Sequence, residues 1–274
     1  MTEPGFAEVA ALVRRRAGIV LTDDKSYLLE TRLGPVLQRF GFANLRVLGE
    51  KLRAAPGEAL ERAVTEALTT HESSFFRDSR PFEHLRGLLP RLAAAKPPGE
   101  RLRIWSAACS TGQEAYSIAM LAAEAFGAGA ARSVEILGTD ISGEIVARAR
   151  EGVFSQFEVQ RGLPIRALMT YFQQDGARWR VKPELRALVR FEERNLLADC
   201  GGLGRFDVIF CRNVLIYFDT PTKTRVLEMM ARMLAGQGVL YLGAAETVVG
   251  LTSRLAPLPS ERGVYAVAAQ RAAA

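Results

Sequence analysis

Along the first quarter of the chain, apolar residues return every three or four positions. Phe6, Val9, Ala10 and Val13 mark one run, and Leu28, Leu29, Leu33, Val36 and Leu37 mark a second. That spacing places them on one face of an α-helix. Thr22-Asp23-Asp24-Lys25 ahead of Tyr27 supplies N-cap chemistry for the second run, and Gly41 after Phe40 supplies its stop. A third helix is predicted over residues 45–54, ended by Pro56-Gly57, and a fourth over 59–68. Four short amphipathic helices predict a small bundle.

Past Ala93-Ala94-Ala95-Lys96-Pro97-Pro98-Gly99 the pattern changes. Short apolar strands now alternate with helices. Strands are predicted at 102–106, 134–138, 191–193, 206–210 and 239–242, with 263–267 as a final antiparallel strand. Helices are predicted at 114–126, 144–150 and 221–234. Such alternation predicts an α/β fold, a mostly parallel sheet covered by helices. Residues 151–190 fit it poorly and are read as an inserted subdomain. The expected organisation is a helical domain over 1–76, a linker over 77–99 and a sheet domain over 100–274.

Composition narrows the setting. The 274 residues leave room for this two-domain arrangement. No uncharged apolar run approaches the roughly 20 residues of a membrane span, and the N-terminus lacks the basic-then-apolar pattern of a secretory signal. A cytoplasmic protein without membrane insertion is expected. Cys109, Cys200 and Cys211 have no metal-like spacing, and only His71 and His84 stand beside them, so no metal site is predicted and the thiols are read as reduced. The net charge of +6 and pI near 9.5 permit an acidic partner. Arg32 and Arg39, seven residues apart, share a helical face, which serves either as a solvated surface or as a basic docking face.

The chemistry-bearing residues stand at predicted strand ends, where open α/β sheets bind their ligands. Ala107-Ala108-Cys109-Ser110-Thr111-Gly112 after the first strand is an almost side-chain-free turn into a helix, which lets backbone approach a ligand closely. A dinucleotide site would carry G-x-G-x-x-G there, and only Gly112 is present. Glu114 in the first helical turn would repel a phosphate but suits a cation or hydroxyls. Asp140 ends the second strand, where a carboxylate can hold a ribose or simply cap the next helix. Asn195-Leu196 follows the 191–193 strand. The stretch Phe206–Phe218 runs an apolar strand into Arg212-Asn213, with Tyr217 four residues on. Phe75-Phe76 reads as core packing. Beside it Arg77 could grip a carboxylate, and His71 is either a polar contact or an interface residue.

Taken in order, Ser73-Ser74-Phe75-Phe76-Arg77, the run from Trp105 to Ser117, Gly138-Thr139-Asp140, Arg161-Gly162-Leu163-Pro164 and Phe210-Cys211-Arg212-Asn213-Val214-Leu215-Ile216-Tyr217 resemble the CheR family of chemotaxis-receptor glutamate O-methyltransferases. The resemblance covers nearly the whole chain. It implies a class I S-adenosylmethionine-dependent methyltransferase fold with a seven-stranded, mostly parallel sheet, an N-terminal helical domain and a small inserted β-subdomain. It also implies that S-adenosyl-L-methionine, with S-adenosyl-L-homocysteine as product, contacts His71, Ser73, Arg77, Glu114, Asp140, Asn195, Leu196, Arg212 and Asn213. Arg77 and Tyr217 would lie near the transferred methyl and the acceptor glutamate. The family often has Asn at His71 and Thr at Ser73.

The partners implied are cytoplasmic helices of chemoreceptors, met by the face bearing Arg32 and Arg39, with the enzyme a monomer that binds no nucleic acid. Members that tether to a receptor's C-terminal pentapeptide carry a longer, glycine-containing loop where this chain has only Gly176 between Phe172 and Phe191, so tethering is not expected. A glutamate, with a reference pKa of about 4.3, is already ionised at neutral pH and needs no general base. Arg77 is therefore assigned to orientation and Tyr217 to holding the glutamate. The competing readings are a nucleic-acid methyltransferase, encouraged by the basic pI, and a non-catalytic module that senses the cofactor.

Overall fold

The computed structural model describes residues 4–22, 26–259 and 261–268. Its contacts divide the chain into two compact units. Met1–Thr70 with Tyr217–Lys223 form one, and His71–Ile216 with Thr224–Ala274 form the other.

The first unit is helical: α1 (Phe6–Ala17), α2 (Ser26–Phe40), α3 (Leu45–Ala54) and α4 (Glu58–Leu68). Helix α1 buries Phe6, Val9, Leu12 and Val13 and stops at Gly18, whose φ of 73° lets its N–H return to the Arg14 carbonyl. Asn44 caps α3 by accepting the Val47 N–H at 3.1 Å. Arg16 reaches Glu58 and Glu61 of α4, at 2.5 and 2.7 Å. Part of the cap expected for α2, Asp23–Lys25, lies outside the described residues. Arg32 does not stand free on its helix face. Its guanidinium donates to the Leu68 and Thr69 carbonyls and the Thr70 hydroxyl, satisfying acceptors left over at the end of α4. Arg39 is exposed.

The second unit holds, among the described residues, ten strands: β1 (Leu102–Ala107), β2 (Val134–Asp140), β3 (Val153–Ser155), β4 (Phe172–Asp175), β5 (Arg178–Val181), β6 (Val189–Glu193), β7 (Phe206–Cys211), β8 (Leu234–Leu242), β9 (Leu255–Pro257) and β10 (Val264–Val267). Seven form one sheet in the order β6-β2-β1-β7-β8-β10-β9. The first five run parallel, and β10 and β9 close the edge antiparallel. The chain therefore leaves β1 toward β2 and β6, then returns to β1's other side as β7. That reversal opens a crevice beyond the carboxyl ends of β1 and β7.

The stretch expected to be a linker contains α5 (Arg80–Ala94), which buries Phe82, Leu85, Leu89 and Leu92 in the sheet unit's core. Each such side chain contributes about 1.5–3 kcal/mol. It packs beside α6 (Gln113–Phe126). Facing α5, Phe210 stacks on Tyr241 with ring centroids 4.3 Å apart. His84 of α5 hydrogen-bonds the Tyr241 hydroxyl at 2.7 Å.

The inserted segment is a separate antiparallel sheet, β3-β5-β4. Phe75, fully buried, meets Phe154 and Phe172 of that sheet edge-on at 5.0 and 5.6 Å. β4 and β5 are joined through Gly176-Ala177, with Gly176 at φ 61°.

Candidate active site

The β1–α6 turn is held in a conformation that small residues tolerate best. Ala108, Ser110 and Gly112 have φ of 56°, 52° and 96°. For the two non-glycines this costs about 1–3 kcal/mol each, so surrounding bonds must over-determine it. Cys109 N–H donates to the Thr139 carbonyl at 2.8 Å, Ser110 N–H to Asp140 Oδ2 at 2.9 Å, and the Ser110 hydroxyl to the His71 carbonyl at 2.7 Å. At Gly112 the φ of 96° is one that L side chains rarely adopt, and a Cβ would press on Ala149, Phe191 and Tyr116 at 3.2 Å.

Asp140, the last residue of β2, is buried and organises this corner. Its Oδ1 accepts the Ser142 N–H at 3.2 Å and faces His71 Nδ1 at 3.8 Å. Each carboxylate oxygen has two lone pairs, so capacity remains for incoming hydroxyls. Arg194, just past β6, donates its N–H to the Asp140 carbonyl at 2.8 Å. Asn195 and Leu196 thereby begin beside the same corner. Asn195 Oδ1 accepts the Leu197 N–H, and Leu196 is buried.

A second corner forms at the ends of β1 and β7. Ser106 donates to Glu114 Oε1 at 2.8 Å, and Arg212 Nη1 reaches Glu114 Oε2 at 3.2 Å. Arg212 is almost fully buried, lies over the Phe82 ring at 5.7 Å, and gives Nη2 to Asp78 Oδ2 at 2.6 Å and to the Arg77 carbonyl at 2.9 Å. Its Nε has no partner among the described residues. Burial pushes the Glu114 carboxyl above its ordinary range, while Arg212 and Ser106 pull it back. Burial, and then the nearby Asp140 and Glu114 charges, push the Cys109 thiol well up.

The residue that sequence reasoning missed is Glu246. Its buried carboxylate collects the N–H groups of Asn213, Val214, Ile216 and Gly243, at 2.9, 2.9, 3.3 and 2.6 Å. Asn213 is left-handed at φ 59°, and this carboxylate holds it there. Gly243 has no room for a side chain, since a Cβ would lie 2.7 Å from Glu246 Oε2 and 2.9 Å from the Asn213 N. The only sequence signal was a Gly243-Ala244-Ala245-Glu246 run directly after an apolar strand.

Of the residues singled out from sequence, His71, Asp140, Asn195 and Leu196 cluster at the β2 end, and Glu114, Arg212 and the Arg77 backbone at the β1–β7 end. Asn213 continues from the latter. The half-buried Arg77 side chain donates Nη1 to the Glu72 carbonyl at 3.2 Å. Ser73 is half-buried in the same segment. Tyr217 groups with the helical unit, where its carbonyl accepts the Val20 N–H at 2.8 Å.

Two family descriptions match the chain: "CheR methyltransferase, all-alpha domain" over residues 4–69 and "CheR methyltransferase, SAM binding domain" over 71–264. Among curated proteins, the chemotaxis protein methyltransferase Cher2 of Pseudomonas putida is 38% identical over 250 residues, covering 90% of this chain and 91% of that one. The chemotaxis protein methyltransferase of Vibrio parahaemolyticus is 39% identical over 268 residues, covering 96% of each. Among solved structures, the plantazolicin methyltransferase BpumL aligns over 80% of this chain and 60% of that one at 14% identity, with a TM-score of 0.36.

Proposed function

The chain belongs to the CheR methyltransferase family and is an S-adenosylmethionine-dependent methyltransferase of chemotaxis; from that premise we propose that it methylates glutamate carboxylates on the cytoplasmic helices of chemoreceptors, acting as a cytoplasmic monomer. The observation that carries the reading is the pair of corners at the carboxyl ends of β1, β2 and β7. One presents a buried carboxylate with spare lone pairs, and the other a buried Arg–Glu pair with an unpartnered Nε.

These residues fit S-adenosylmethionine. Asp140 suits a ribose diol, the Ala108–Gly112 turn a close backbone approach, Glu114 a cationic centre, and the orphaned Nε of Arg212 a carboxylate. When bound, the cofactor supplies an electrophilic methyl on a cationic sulfonium. The chain's own task is then to position an already ionised glutamate and to exclude water, with effective positioning at about 3–3.5 Å supplying much of the rate. No side chain has to take a proton from the acceptor. Arg77 is assigned to orientation and Tyr217 to holding the glutamate.

Arg39 on the helical unit remains available to an acidic receptor helix, whereas Arg32 is engaged within its own unit. The two-residue connection Gly176-Ala177 supports recognition without a tethering pentapeptide. Among the described residues no helix is long and apolar enough to cross a membrane.

The decisive experiment incubates the protein with methyl-labelled cofactor and receptor cytoplasmic fragments. Label released as methanol by mild alkali is expected, because glutamyl methyl esters hydrolyse there. Alkali-stable label, or none, would defeat the glutamate assignment.

A further inference from the structure

A cavity of about 530 Å³ opens at the ends of β7 and β8, within the size range of ligand pockets. Arg212 and Glu246 form part of its wall, Gly243-Ala244-Ala245 lie along it, and Asp78, Arg80 and Arg262 also line it. The distribution of charge in this cleft is uneven once existing bonds are assigned. Asp78 is taken up by Arg212, and Glu246 by four backbone N–H groups. That leaves two exposed cations, Arg80 and Arg262, neither with an ion-pair partner among the described residues.

Arg80 is placed against local preference. It is the first residue of α5, where the positive end of the helix dipole disfavours a cation. Arg262 sits in the turn before β10, next to Gly263 at φ 76°. Helix stability therefore gives no reason for Arg80, and the Arg262 side chain makes no hydrogen bond or ion pair among the described residues. Both charges are unspent and face one cleft. Ala244 and Ala245 are exposed and nearly bare, so a partner's backbone could come close there.

We propose that Arg80 and Arg262 determine acceptor specificity: they receive acidic side chains that flank the target glutamate on a partner helix and draw that helix onto the Gly243–Ala245 wall. This rests on the glutamate-methylation reading and identifies what surrounds the glutamate. Residues four apart share one helix face, so acids four positions before and after the target lie on the face that carries it.

The test uses a helical synthetic peptide with one central glutamate and glutamates four residues to either side, and its counterpart with lysines at those two positions. Binding is read by fluorescence anisotropy with S-adenosylhomocysteine present, and transfer separately as alkali-labile label. The wild type should prefer the acidic peptide, with an affinity that falls as salt rises. The doubly reversed variant, Arg80→Glu with Arg262→Glu, should lose about tenfold in that affinity and prefer the lysine peptide, as rim charges do at interfaces. Cofactor affinity by calorimetry should stay at the wild-type value. Arg80→Glu gives the α5 N-terminus the charge it favours, so the thermal midpoint should hold or rise and misfolding cannot mimic the result.

Equal affinity of wild type and double variant for the acidic peptide would overturn the proposal, even with labelling intact. The preference and its reversal without any alkali-labile label would support the cleft while overturning the glutamate reaction.

Discussion

At the ends of β1 and β2 the backbone itself is bent to shape. Ala108, Ser110 and Gly112 take left-handed angles, and one carboxylate, Asp140, ties the turn to the neighbouring strand. At the ends of β7 and β8, where Asn213 and Asp78 also take left-handed angles, charges do the holding. Arg212 binds Glu114 and Asp78, and Glu246 gathers four N–H groups. The first corner gains precision from steric limits and needs small residues. The second gains it from desolvated charge, which is strongly bound only while every partner is present. Point substitutions should therefore do different damage at the two corners.

The largest effect is expected at Glu246. Glu246→Gln keeps the volume but replaces one acceptor oxygen by a donor amide, which leaves N–H groups facing N–H. A loss of about 3–5 kcal/mol is expected from urea unfolding, with Arg212-Asn213 displaced and transfer reduced. A loss under about 1 kcal/mol would mean that charge does not hold this corner. Asp140→Ala comes next, leaving the Ser110 and Ser142 N–H groups without an acceptor. Roughly 2–4 kcal/mol of stability should go, and cofactor affinity should drop by on the order of 100-fold. Unchanged affinity in calorimetry would remove Asp140 from the site.

Gly138→Ala probes the steric corner without touching charge. A Cβ there would lie 2.6 Å from the Phe191 ring, so overpacking of about 1–3 kcal/mol is expected. A crystal structure of the variant should show Phe191 displaced, and an unmoved ring would deny that packing sets this corner.

Glu114 separates the corners by pH. Its folded-state pKa is raised by burial, so ionising it costs stability, and the cost accrues as pH rises from the ordinary carboxylate value of 4.5 through the raised one. Over that window the wild type should lose stability relative to Glu114→Gln. Parallel profiles for the two proteins would show that Arg212 fully compensates the buried charge.

The smallest effect is expected away from both corners, at Asp219, which caps the helix that follows through the Thr222 N–H and pairs with Arg14. Bonds from Thr222 and then Arg14 hold its pKa down to about 2, from an ordinary 3.8. Its contribution is complete above the ordinary value and disappears as pH falls through about 2. Asn is also a good N-cap, so Asp219→Asn should differ little from wild type at neutral pH, and their urea midpoints should converge in acid. A gap that widens in acid would contradict the assignment.

How far each feature could be read from sequence follows the same divide. The helices over residues 6–68 and the strands β1, β2, β7 and β8 show as apolar periodicity, because each buries one face against a core. Helix α5 was hidden by its position next to Pro and Gly punctuation, although Phe82, Leu85, Leu89 and Leu92 carry the helical spacing. The short β9 is only three residues long and has no period to detect. Asp140 and the small-residue turn were legible because their chemistry is local to a strand end. Arg32 was misleading for the opposite reason. Its spacing from Arg39 is visible in the sequence, but its acceptors at Leu68–Thr70 are not.

Local pattern alone was enough for the helical and α/β parts and for the residues placed at the ends of β1, β2 and β7, since hydrophobic period and strand-end chemistry act over a few residues. The pairing of charges depended on the packed chain. Arg212 meets Glu114 across 98 positions and Asp78 across 134, and Glu246 reaches back 33 to Asn213. A buried charge is tolerable only with its partners in place, and those partners are brought together by the strand order β2-β1-β7-β8, a long-range outcome of folding.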